Sequence, residues 1–188
     1  MTVQAFGSSR RDRGVPLASW PAAASFQLMR HSPEGHLEEV RVSVTTRTLG
    51  PGDASVLARV APGVFDHDVD PGLTAEFLGD SRHHLTVALD GDTVVGFASA
   101  VHYVHPDKRA ELWINEVGVA PSHQRQGLGQ RLLRELFDVG RHLGCREAWV
   151  LTSRANLAAM RLYEAAGGRE MDEPPAMFTF RLGADAPA

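Results

Sequence analysis

HQRQGLGQRLL, from His123 to Leu133, sets two glycines and no acid just ahead of an amphipathic run. Leu128, Leu132, Leu133, Leu136 and Leu143 recur at helical spacing, and Gly144 follows as a C-cap, so the glycines stand at a helix N-terminus. Such an end leaves four backbone N–H groups without intrahelical partners and carries about +0.5 charge. Glycines beside it let an anion reach the main chain with no Cβ in the way. The loop therefore reads as a pyrophosphate cradle or as a tight turn with glycine caps. Two other phosphate loops are excluded. A Walker loop needs Lys and Ser or Thr after its last glycine, where Gln130 and Arg131 stand, and the dinucleotide fingerprint needs glycine where Leu132 stands.

Working outward, ELWINEVGV (Glu111–Val119) before the loop reads as a strand. HLTVALDGDTVVGFASAVHYV further upstream reads as a hairpin, turning at Asp90, Gly91 and Asp92. VRVSVTTRTL alternates like a strand from Val40. PGDASVLARV and DPGLTAEFL read as helices opened by Pro51 with Asp53 and by Pro71. Beyond the long helix come a strand EAWVLTS, a helix NLAAMRLYEAA and a final strand AMFTFRL. The order β-α-α-β-β-β-α-β-α-β is that of an α/β (α+β) domain built on one mostly antiparallel sheet.

At 188 residues, with 43% hydrophobic and 22% charged content, the chain has the composition of a single soluble domain. Residues 1–38, rich in Ser, Pro, Gly, Ala and Arg, read as a flexible tail before a domain over 39–188. A net charge of −4 argues against nucleic acid or an anionic membrane as partner. Its longest uncharged apolar run, Val94 to Val101, falls far short of the ~20 residues that span a bilayer. No signal-peptide core stands near the N-terminus, so the expected location is cytoplasmic. Cys145, the only cysteine, reads as a small buried hydrophobe. Asp66, Asp68 and Asp70 have calcium-loop spacing, but Pro71 takes the place of the glycine and Phe77 that of the bidentate acid, so no metal is expected. His83, His84, His102 and His105 read as solvated residues at strand ends, the last two able to assist proton movement.

Gln124-Arg125-Gln126-Gly127-Leu128-Gly129 resembles the (Arg/Gln)-x-x-Gly-x-(Gly/Ala) motif of the GNAT-type N-acetyltransferases, and it follows a strand as in that family. NLAAMRLYEAAGG is similar to the second family segment, with Asn156, Ala158, Leu162, Tyr163 and Gly167 in register. The likeness covers roughly Val40 to Leu182. Gly168 departs from it, standing where the family places Phe, and is expected to loosen packing beneath the last helix. A looser likeness, in layout and one acid of the fourth strand, is to the aminoglycoside 3-N-acetyltransferase branch.

The resemblance implies a sheet splayed between strands 4 and 5 that holds acetyl-CoA, the acetyl donor. It places the cofactor on Gln124, Arg125, Gln126, Gly127, Leu128, Gly129 and Gln130, with the N–H groups of Gln126, Gly127, Leu128, Gly129 and Gln130 holding the pyrophosphate. Val117 and Val119 would pair their backbone with the pantetheine arm, Gly118 giving close approach. Asn156 would bond the pantetheine or cap its helix. Glu116, inside an otherwise apolar strand, is the general base or else a substrate anchor. Tyr163 is the general acid for the departing sulfur or else amphipathic core. The acceptor is an amine: a small molecule, or a protein N-terminus or lysine. A non-catalytic acyl-CoA sensor is a further reading, although it needs neither Glu116 nor Tyr163. Homodimers are frequent in the family. Finally, Asp66, Asp68, Asp70, Glu76 and Asp80 occur with no Lys or Arg between them, which suggests a cationic acceptor, aminoglycoside-like or polyamine-like, or merely a solvated loop.

Overall fold

Two β-rich runs joined by Asp90-Gly91-Asp92 form a hairpin inside the five-stranded sheet, with Gly91 at φ +58° supplying the left-handed residue of the turn. The computed structural model describes residues 27–31, 37–41, 44–173 and 175–180. By contacts the chain divides into two units, residues 1–42 and 43–188. In the first, β1 (Gln27–His31) pairs antiparallel with β2 (Leu37–Arg41). Apart from these strands, the tail expected over residues 1–38 lies outside the described residues.

The second unit holds the candidate site residues read from the sequence. Its elements are β3 (Thr45–Leu49), a 3₁₀ helix (Pro51–Ala58), α1 (Pro71–Gly79), β4 (His83–Asp90), β5 (Thr93–Tyr103), β6 (Glu111–Val119), α2 (Leu128–His142), β7 (Ala148–Val150) and α3 (Leu157–Ala165). A further 3₁₀ turn covers Pro121–His123. The sheet runs β3-β4-β5-β6-β7, antiparallel except for the parallel β6–β7 pair. This is the mixed, mostly antiparallel architecture expected from the sequence.

Strand alternation sorts the two faces. His84 and Thr86 face α2, where the Thr86 hydroxyl donates toward the Leu132 carbonyl at 3.3 Å. Leu132, Leu133 and Leu136 of α2 are fully buried on that face, and Arg131 ties the helix to the carbonyl of Val44 at 2.8 Å. Leu143 falls past the helix end and is 41% exposed, leaving the apolar stripe shorter than its spacing suggested. On the opposite face Phe97 stacks with Phe65 at 4.0 Å, and Phe77 of α1 touches the His83 ring. Backbone bonds from Ala61 to Val94 and from Val94 to Arg59 pin the segment that follows the 3₁₀ helix to the start of β5.

Four elements differ from the sequence reading. Residues 40–49 are not one strand: β2 and β3 belong to different sheets, and Val42 and Ser43 lie outside the described residues. The first helix is 3₁₀ rather than α, closed at its start by Asp53, whose carboxylate accepts from the Gly50 N–H at 2.9 Å. EAWVLTS forms a strand only over Ala148–Val150. AMFTFRL shows no strand over Ala176–Phe180, and Arg181 and Leu182 lie outside the described residues. Met177, Phe178 and Phe180 there are more than three-quarters exposed, so the alternation is present without a pairing strand among the described residues. Among the described residues, no helix is long and apolar enough to cross a membrane.

Candidate active site

The sheet opens along one edge of β6. Its parallel partner reaches only Leu112, Trp113 and Ile114, opposite Ala148, Trp149 and Val150. Asn115 is then an extra residue, because Ser99 pairs with Glu116 while Ala100 pairs with Ile114. A bulge of this kind bends and twists its strand. From Asn115 to Val119 the strand keeps β5 on one side and, among the described residues, has no strand on the other. This opening lies between β6 and β7, the fourth and fifth strands of the five-stranded sheet. The Val119 carbonyl accepts from the Gln124 side chain at 3.1 Å.

Gly118 is required there for an internal reason. A Cβ at that position would lie 2.3 Å from the Val64 carbonyl oxygen and 2.6 Å from the Phe97 ring. The close approach expected at this glycine comes from Val64 and Phe97, which fill the space that a side chain would need.

Beyond β6 the glycine loop carries Arg125 at φ +59° and Gly127 at φ +75°, two left-handed residues within three positions. Turns of this kind aim successive N–H groups into an anion-binding concavity. Gln126 braces the loop by donating to the Ser122 carbonyl, as Gln124 does to Val119. The N–H groups of Gly127, Leu128, Gly129 and Gln130 have no hydrogen-bond partner among the described residues, while that of Gln126 closes the turn before them. Asp70 caps α1 and Asn156 caps α3, accepting from the Ala159 N–H at 3.1 Å, whereas no side chain caps α2. The two glycines do different things. Gly127 supplies the turn and has open space around it, while a Cβ on Gly129 would press on Leu162 of α3 at 3.0 Å.

Glu116 stands beside the opening with its pKa raised, first by desolvation and then by the charge of Asp66. Tyr163 is half-buried, and burial raises its pKa too, so its hydroxyl keeps its proton at neutral pH. A cleft of about 300 Å³ beneath α3 is lined by Tyr163, Ile114, Val150, Cys145 and Gly168 among others. Cys145 is half-buried against the core, in keeping with the hydrophobe read from the sequence. Gly168 is itself tightly seated. Its N–H donates to the Tyr163 carbonyl at 2.8 Å, and a Cβ would come within 2.9 Å of the same oxygen.

The acidic segment does not act as one unit. Asp66 is the carboxylate coupled to Glu116, Asp70 accepts from the Leu73 N–H, and Asp80 is held by Arg82. The histidines also differ from solvated strand ends. His84 is buried, with Nε2 2.8 Å from Nδ1 of His102, and burial together with the neighbouring histidines depresses its pKa to about 4. The His105 ring packs edge-on to Tyr103, and its Nε2 is buried.

Sequence reasoning passed over a group of aromatic rings on the Glu116 face. Trp113 and Trp149 stack at 5.0 Å with planes 6° apart. Trp149 Nε1 donates to the Tyr103 hydroxyl at 2.8 Å, which in turn donates to Glu111 at 2.8 Å. Lys108 pairs with the other oxygen of Glu111. The signal was the Glu-x-Trp spacing, which strand alternation sets on one face, but the matching of Trp113 to Trp149 depends on the parallel register.

The model of the acetyltransferase (GNAT) family matches residues 55–167, more than half of the chain. The chain belongs to the GNAT family. Among curated relatives, it is 34% identical over 111 residues to streptothricin acetyltransferase of Streptomyces lavendulae. That match covers 59% of this chain and only 56% of the relative's length. It is 35% identical over 127 residues to the N-alpha-acetyltransferase RimI of Mycobacterium tuberculosis, covering 66% and 77%. Solved GNAT structures share the fold. An aminoglycoside acetyltransferase from an uncultured soil metagenomic sample, in complex with sisomicin, superposes with a TM-score of 0.63 at 17% identity, covering 73% of this chain and 97% of that one. AAC(6')-Iy, in complex with a CoA-S-monomethyl-acetylneamine bisubstrate analogue, gives 0.60 at 22% identity, covering 74% and 99%.

Proposed function

We propose that this GNAT protein is an N-acetyltransferase moving an acetyl group from acetyl-CoA to the primary amine of a small cationic acceptor by direct attack. One observation carries the reading: the open edge of β6 leads to an uncapped helix end, and the carboxyl of Glu116 stands on that same strand. The residues fit the donor. Unpartnered N–H groups from Gly127 to Gln130 suit a pyrophosphate, with that of Gln126 at the rim of the same loop, and the edge at Val117 and Val119 suits the amide arm as an added strand. Asn156, with its oxygen on the Ala159 N–H, keeps its amide NH₂ for the same arm. When bound, acetyl-CoA supplies an activated thioester.

The chain's own residues would do the rest. Glu116 takes the proton of the incoming ammonium, directly or through water, and burial and the Asp66 charge make it a stronger base than an ordinary carboxylate. Tyr163 donates its proton to the departing sulfur. Asp66 adds negative potential beside Glu116 and draws in a cation. A protein N-terminus as acceptor is the second reading, favoured by the RimI relative, 77% of whose length is matched.

The test is ligand-induced stabilisation. A ligand at a hundred times its Kd stabilises the native state by about 2.7 kcal/mol, so CoA should raise Tm by several degrees. Gly127→Val puts a β-branched residue at φ +75° and a side chain over the N–H groups. It should abolish the CoA shift. An undiminished shift in that variant overturns the cradle.

A further inference from the structure

The geometry points to Trp113, backed by Trp149, as the surface that receives a second cationic group of the acceptor, beyond the amine that is acetylated. This rests on the acetyl-transfer reading above and names the part of the substrate that reading leaves open. Pairing with β5 sets Trp113 opposite Val101 and Glu116 opposite Ser99, so both lie on one face, two pairing steps apart. At the rise of a β-strand that is roughly 7 Å. Asp66 is coupled to Glu116, and Phe65 stacks on Phe97 beside Gly118, so the segment of residues 64–66 borders this same face.

The rings are held before any ligand arrives. The indole N–H of Trp149 is engaged by Tyr103 and the Tyr103 hydroxyl by Glu111, with His105 edge-on to the Tyr103 ring. Trp149 covers one π-face of Trp113, and Trp113 is still 37% exposed. Glu111 is paired with Lys108, so neither is a free charge beside the rings. What the shelf offers is the exposed part of an indole with a negative π quadrupole, held between Trp149 and Val101 on the face that carries Glu116. A cation seated on such a face gains directional attraction that a hydrocarbon does not. The fitting acceptor is therefore a compact dication, one amine deprotonated at Glu116 and the second left charged over Trp113.

The experiment measures steady-state acetylation of α,ω-diaminoalkanes from diaminopropane to diaminoheptane, with butylamine as the single-charge control. Wild type, Trp113→Leu and Trp113→Phe are compared, their folding checked by melting temperature. The expected result is a diamine optimum inside the series. Trp113→Leu should raise KM for the best diamine by about 3- to 30-fold, the range of a partly desolvated cation–π contact, and spare kcat. Butylamine turnover should be unchanged, and Trp113→Phe should recover most of the loss. Equal losses for diamine and butylamine, unchanged diamine KM, or a steady rise with chain length would each overturn the proposal. If no amine is acetylated although CoA binds, the acetyl-transfer reading fails instead. The shelf is then judged by calorimetric titration of diaminopentane into the CoA complex: weaker binding by Trp113→Leu supports it, and equal binding refutes it.

Discussion

Gly118→Ala separates two explanations of one glycine. Its new Cβ would stand 2.3 Å from the Val64 carbonyl oxygen and 2.6 Å from Phe97. Ordinary contact between such atoms is about 3.5 Å, so backbone must move by roughly 1 Å. Overpacking of this kind costs about 1–3 kcal/mol. Replacing glycine within a strand returns about 0.5–1 kcal/mol. The net loss is about 1–2 kcal/mol, which lowers Tm by about 2–8 °C in a protein of this size. The assay is thermal unfolding of the ligand-free protein. Because Val64 leads directly to Asp66, the same displacement should lower turnover. An unchanged Tm without ligand, combined with loss of CoA binding, would refute the internal-packing account and return Gly118 to the cofactor.

Glu116→Gln and Tyr163→Phe should each cut turnover by about 10²–10⁴-fold while CoA binding survives. If Glu116→Gln raised KM for the amine and spared kcat, the residue would be an anchor. In the wild type, kcat/KM should fall as pH drops through the raised Glu116 pKa; Asp66→Asn removes one cause of the rise and should move that acidic limb to lower pH. A limb that stays in place would disconnect Asp66 from the base. His84 makes stability pH-dependent. Its folded pKa of about 4 lies below the usual His value, so the unfolded chain binds the extra proton first, and Tm should decline as pH falls from about 6.5 toward 4. His84→Gln should flatten that slope, and an unaltered slope would locate the effect elsewhere.

The glycine loop was legible because its cause is local. Gly127 needs a left-handed turn, and the leucine spacing behind it marks the buried stripe of α2. The hairpin was legible for the same reason, through Gly91. Gly118 and Gly129 were visible as glycines, but their reasons, Phe97 with Val64 and Leu162, are contacts across the fold that spacing cannot show. The bulge at Asn115 was equally hidden. It depends on the register of β6 against β5, a pairing that spacing does not show, and it fixes which residues share a face with Glu116. The acidic run was legible as charge but not as separate contacts: its five carboxylates divide into a helix cap, an arginine-paired aspartate and Asp66, whose charge acts on Glu116, with Asp68 and Glu76 outside those roles. Residues 176–180 show the limit of alternation, which makes a strand only with an edge to pair it, and among the described residues none does.

The most direct test of the account is a product balance. The protein is incubated with acetyl-CoA and diaminopentane, free CoA thiol is titrated, and the amine is weighed by mass spectrometry. Direct transfer predicts one mono-acetylated amine for each thiol released, with both signals lost together in Glu116→Gln. Thiol released without acetylated amine, or acetylated amine formed at the wild-type rate by Glu116→Gln, would contradict it.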